Sequence, residues 1–164
     1  MEEWIADFRH LIEASELRLL SLSESQSSQP LGPGKWSAKQ TIGHLIDSAA
    51  NNHQRFVRGQ FTDDLVFPGY NQEEWISSQH YDDEPWQFLL TLWKSYNLHL
   101  AHIMATTPVE VRRQPRQKHT LDKIAFNTVD PSATATLDYL MRDYVDHLTN
   151  HLDQVIAAIG PLSE

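Results

Sequence analysis

The stretch TLDYLMRDYVDHLTNHLDQVIAAI, from Thr136 to Ile159, decides how the chain folds. Wrapped on a helix of about 3.6 residues per turn, Leu137, Leu140, Met141, Tyr144, Val145, Leu148, Leu152, Val155, Ile156 and Ile159 share one apolar stripe. Such a helix has to bury that stripe against partners. His147 and His151 stand one turn apart on an edge of the stripe, with stems about 6 Å apart. Two imidazoles so placed can close on one divalent ion at roughly 2.0–2.1 Å per bond. Nine histidines in this length would give roughly 0.5 such pairs by chance, so spacing alone says little. Position says more, because a helical bundle encloses ligands between facing helices at the border of its apolar stripes.

The same periodicity recurs upstream. Residues 3–22 read as an amphipathic helix through Trp4, Phe8, Leu11, Ile12, Leu19 and Leu22. Residues 23–34, rich in Ser and broken by Pro30, Gly32, Pro33 and Gly34, read as a loop. Ser37-Ala38-Lys39-Gln40 is a capping-box pattern that starts a second helix over about 38–59, with Ile42, Leu45, Ile46, Ala49 and Phe56 inward. Residues 61–83 are irregular, with a Pro68-Gly69 turn and a short helix near 72–78. Pro85 fits the first position of a third helix whose stripe is Trp86, Leu89, Leu92, Trp93, Tyr96, Leu100 and Ile103. Residues 108–131 form a second irregular connection. Four long helices without alternating strands predict an all-α four-helix bundle with long irregular connections, as a single domain over residues 1–164.

Composition narrows the function. The chain has 164 residues, 40% of them hydrophobic, and a formal charge of −9, which argues against a nucleic-acid partner. It has no Cys, so disulfides, Cys-ligated zinc and thiol catalysis by the protein are excluded. Met1-Glu2-Glu3-Trp4 is acidic where a signal peptide would be basic, and no long uncharged apolar run follows; the expected setting is cytoplasmic, with no membrane partner.

A stable open metal site needs a third ligand, and His44 on the second helix is the best candidate. Beside it runs a polar stripe of Asp47, Ser48, Asn51 and Arg55 with few simple solubilising residues. It reads either as a solvated face or as a site wall in which Asp47, Asn51 and Arg55 are catalytic candidates. Asp47 could orient His44, or be a surface charge. The order His147-Leu148-Thr149-Asn150-His151 lacks the Glu that follows the first His in zincin proteases, so any general base lies elsewhere. His99 and His102 read as surface or satisfied core residues, and His53 as a hydrogen-bonded core histidine. Arg112, Arg113, Arg116, Lys118 and Lys123 crowd the connection before the last helix. They read as a solvated loop or, for the three arginines, as a clamp for an anionic substrate.

Lys35-Trp36-Ser37, Gly43-His44-Leu45-Ile46-Asp47 and Asn52-His53-Gln54-Arg55-Phe56 resemble the second-helix signature of the DinB-like superfamily, which includes YfiT-like proteins. Thr136-Leu137, Tyr144-Val145-Asp146-His147 and His151 resemble its last helix, and Phe67-Pro68-Gly69-Tyr70, Trp75 and Trp93 to Asn97 agree. The resemblance implies a four-helix bundle binding one divalent metal through His44, His147 and His151, with zinc or nickel expected ahead of manganese or iron. It also implies a homodimer and a small-molecule partner. On family analogy the expected reaction is transfer of a low-molecular-weight thiol, such as bacillithiol or mycothiol, to an electrophile. The alternatives are a hydrolase using hydroxide on the metal, and a non-catalytic metal- or ligand-binding stress module.

Overall fold

The computed structural model describes residues 2–160. Four long helices dominate: α1 (Glu3–Leu19), α3 (Ala38–Arg58), α5 (Trp86–Thr106) and α8 (Leu137–Ile159). Shorter pieces fill the connections: α2 (Glu24–Ser27), α4 (Gln72–Gln79), a 3₁₀ turn at Tyr81–Asp83, α6 (Val109–Arg113) and α7 (Leu121–Ile124). The long helices pack in the cyclic order α1, α5, α3, α8, so that α3 and α8 are neighbours. This is the four-helix bundle expected from the periodicity. Among the described residues, pairing of extended chain is limited to isolated bridges, and no helix is long and apolar enough to cross a membrane.

The helix starts follow their local chemistry. The Ser37 hydroxyl accepts the N–H of Gln40 while the Gln40 side chain accepts the N–H of Ser37, closing the expected capping box. A second box, Ser23 with Gln26, turns part of the expected loop into α2, and α1 ends at Leu19 rather than residue 22. Thr136 caps α8 through the N–H of Tyr139 at 3.0 Å. Pro85 sits at the cap of α5, one position earlier than expected, and Glu24 accepts the N–H of Trp86 at 2.9 Å. The connection over 108–131 is likewise not wholly irregular, since it holds α6 and α7.

Phe8, Phe56 and Tyr144 meet edge to face at the centre, with ring centroids 6.2 and 5.7 Å apart. The fully buried Tyr144 hydroxyl donates to Asn97 at 2.6 Å. Leu92, expected inside, is 38% exposed, and its place in the core is taken by Leu90. Ile5 was missed and is buried. Lys39 is buried under the loops: it pairs with Glu24 and donates to the carbonyls of Asp82 at 3.1 Å and Glu84 at 2.7 Å. One lysine thereby ties the chain entering α5 to the start of α3.

Candidate metal centre

His44 comes from the second turn of α3, and His147 and His151 from successive turns of α8. Because α3 and α8 are neighbours, the three rings form a near-equilateral cluster with centroid separations of 5.1, 4.8 and 4.7 Å. The Nε2 atoms of His44 and His147 lie 3.2 Å apart, and one ligand nitrogen of each of the three lies within 4.8 Å of the others. Two nitrogens on one tetrahedral ion at about 2.05 Å would stand about 3.3 Å apart, so the pair is close to ligating geometry.

Protonation favours the same use. Burial, reinforced by the charge His151 would carry, pushes His44 down from 6.5 to about 4. Burial, with His151 and then His44, pushes His147 from 6.5 to about 3, and burial also lowers His151. All three are therefore neutral at pH 7, with lone pairs free to bind a cation. The Ser48 hydroxyl lies 3.5 Å from Nδ1 of His147, which leaves Nε2 facing the cluster. Trp36 stacks on His151 at 6.3 Å and tilts over His44 at 5.2 Å, while Phe126 meets His147 edge-on at 5.6 Å. These residues suit a divalent ion. Among the described residues no fourth His, Asp or Glu joins the group.

The cluster opens onto a cavity of about 520 Å³ whose polar wall includes Ser48, Asn52, Arg55, Tyr70, Asp143 and Asn150. Of the sequence candidates only Arg55 and the histidines reach it. Asp47 is buried, but its Oδ1 accepts from Tyr81 and Gln79, each at 2.7 Å, and it neither bonds His44 nor lines the cavity. Burial raises its pKa against those two hydrogen bonds. Asn51 donates to the carbonyl of Asp47 and faces a separate groove. His53 is half-buried and lies 3.2 Å from the Tyr96 hydroxyl; His99 and His102 are exposed.

The arginines of the late connection are placed away from the histidines. Arg112 is buried between Asp138 at 2.8 Å and Glu2 at 3.0 Å, and Arg113 reaches Glu2 at 3.1 Å. Arg116 is buried and donates to the carbonyl of Gly59 at 3.0 Å. They hold the connection against the bundle, and only Lys123 from that basic run borders the cavity. Asp143 was missed, although it precedes His147 by one turn on the same face of α8. Its two oxygens accept the N–H groups of Phe126 at 2.8 Å and Asn127 at 2.6 Å, which seats Phe126 against His147. Tyr70 was missed as a wall residue; burial, then the Asp47 carboxylate, pushes its pKa up to about 12, so its hydroxyl keeps its proton.

Fold and site together define a helical-bundle protein with a three-histidine cluster in the wall of a polar cavity. The sequence pattern of the DinB superfamily matches residues 7–158, and the chain belongs to that superfamily. It is 28% identical over 78 residues to a Geobacillus thermodenitrificans protein named "Putative metal-dependent hydrolase", covering 48% of this chain and 44% of the relative. It is 24% identical over 75 residues to a Bacillus mycoides protein of the same name, covering 46% of this chain and 43% of the relative. The match thus spans under half the length of either relative. The structure of YfiT from Bacillus subtilis, described as "a probable metal-dependent hydrolase with an unusual four-helix bundle topology", superposes with a TM-score of 0.74. That match covers 96% of this chain and 87% of YfiT at 17% identity.

Proposed function

We propose that the protein is a metal-dependent enzyme in which His44, His147 and His151 hold one divalent ion, zinc or nickel, and that it hydrolyses a small substrate. The observation that carries this reading is the approach of two neutral imidazole Nε2 atoms to 3.2 Å, with a third imidazole beside them, in the wall of a cavity. Three neutral ligands would leave the ion's full charge to polarise a substrate oxygen or to acidify a coordinated proton donor. Trp36 and Phe126 would screen the histidines from bulk water. Ser48 would orient His147, and the Tyr70 hydroxyl would donate a hydrogen bond from the cavity wall. The three-ligand shell favours an enzyme over a storage or sensing module, which would be expected to close its shell with a fourth side chain.

The names of the relatives favour hydrolysis. Transfer of a low-molecular-weight thiol, expected from the sequence resemblance, is the second reading; the same donors serve it, and a chain without Cys would take its thiol from outside. Protein loaded with zinc, nickel or manganese should be assayed against nitrophenyl esters and phosphates, and against a thiol paired with an electrophile. Turnover in one assay is expected, and His147→Ala should lower it by more than about 100-fold, because even loss of an outer partner of a ligand costs 10–100-fold. Turnover equal in chelated and loaded protein would contradict the reading.

A further inference from the structure

The cavity in front of the histidines contains a cation for which the protein supplies no counter-charge. Arg55, near the end of α3, is 5% exposed and shares the cavity wall with His44, His147 and His151. Its Nη1 donates to Oδ1 of Asn52 at 3.3 Å and its Nη2 to the carbonyl of Pro68 at 3.0 Å. Both acceptors are neutral, and they use two of the five N–H groups a guanidinium offers. Among the described residues no carboxylate forms an ion pair with it. Of the other buried arginines among the described residues, Arg112 pairs with Glu2 and Asp138, and Arg116, which has no ion pair either, lies away from the cavity; Arg55 is the one that is both unpaired and in the cavity wall. The acid in the cavity wall, Asp143, spends both oxygens on the N–H groups of Phe126 and Asn127. A buried charge is retained at a cost unless a partner satisfies it, so the partner here is expected from outside the chain.

We propose that the cavity binds a small organic oxyanion, a molecule carrying a carboxylate or a phosphate, with that group paired to Arg55 and the remainder reaching the three histidines. The proposal rests on the reading of this cavity as the active site. A planar guanidinium matches either oxyanion through two parallel hydrogen bonds. Lys123 at the rim adds a second positive charge, and about 520 Å³ suits a small molecule. Arg55 would then set substrate class by charge, while the histidines serve the reacting end.

The test is calorimetric titration of succinate, its neutral diamide succinamide, and inorganic phosphate. The titrations use the wild type, Arg55→Gln and Arg55→Lys, each with and without zinc and with metal content measured separately. Succinate or phosphate should bind the wild type at least about tenfold more tightly than succinamide, as charge-assisted hydrogen bonds allow. Arg55→Gln should lose that preference while holding zinc as the wild type does, and Arg55→Lys should recover part of it. Whichever of succinate and phosphate binds more tightly identifies the oxyanion. Equal binding of acid and diamide, or undiminished anion binding by Arg55→Gln, would overturn the proposal. If Arg55→Gln does not fold, the comparison of succinate with succinamide on zinc-free wild type decides. Full zinc occupancy without anion binding would sink this proposal alone. Anion binding that depends on Arg55 in a protein unable to hold zinc would support the anion site while removing the metal.

Discussion

Gly43→Ala is expected to destabilise the fold markedly and to disturb the adjoining His44. In an open helix this change would stabilise by about 1 kcal/mol, because alanine loses less backbone entropy than glycine. Here a Cβ on residue 43 would lie 2.2, 2.4 and 2.6 Å from Cδ2, Cγ and Cε2 of Tyr81. The ring cannot swing aside cheaply. Its hydroxyl is held by Asp47 at 2.7 Å, and the loop around it is anchored through the two carbonyls bonded by Lys39. Overpacking of a filled site typically costs ~1–3 kcal/mol, and an anchored aromatic ring against a helix backbone belongs at the upper end, so the clash wins. Urea unfolding should show the loss, and Tyr81→Ala combined with Gly43→Ala should be less harmful than the two losses added. Unchanged stability of Gly43→Ala would mean that the helix carrying His44 is not packed against Tyr81 in this way.

The second large effect is stabilisation by metal, with a defined dependence on pH. An ion bound only by the folded chain stabilises it by about 4 kcal/mol when present at 1,000 times its dissociation constant. His44→Ala should abolish most of that gain. In metal-free protein the histidines act in the opposite sense. Above pH 6.5 the imidazoles are neutral in the folded and the unfolded chain alike. Below it, the unfolded chain takes up protons that the folded chain refuses until about pH 4 at His44 and about pH 3 at His147. Stability of the metal-free protein should therefore fall as pH drops from about 6.5 toward 3. Replacing both His44 and His147 with non-titrating residues should flatten that slope. Thermal melts with and without zinc across this range would check both effects. An equal zinc-induced shift in His44→Ala would place the ion elsewhere.

Much of the architecture could be read from periodicity because each long helix has one apolar face, and α3 has a capping box at its start as well. Ser37 with Gln40 is a local signal of this kind, and the structure keeps it. The histidine cluster was also legible, since His147 and His151 share a helix face and His44 borders the stripe of a neighbour. What failed depends on rotation about a helix axis and on contacts distant in sequence. Of the polar stripe on α3, Ser48 and Arg55 reach the cavity, joined by Asn52 on the side turned toward α8, whereas Asp47 and Asn51 do not. Asp47 was drawn away by Tyr81 and Gln79, far along the chain. The arginines at 112, 113 and 116 looked like a free basic loop because nothing local reveals Glu2, Asp138 and the Gly59 carbonyl as their partners. Asp143 could have been found from its spacing to His147, by extending the row of His147 and His151 one turn back.

The most direct test of the central claim is metal content per protomer by elemental analysis. Protein purified without chelator or nickel resin should be compared with His44→Ala and with the His147→Ala/His151→Ala double variant. About one zinc, nickel or similar ion in the parent, lost in both variants while each keeps its helical circular dichroism, is the result expected of a site shared between α3 and α8. A parent that holds no metal and cannot be loaded with any, or variants that retain the ion in full, would contradict it.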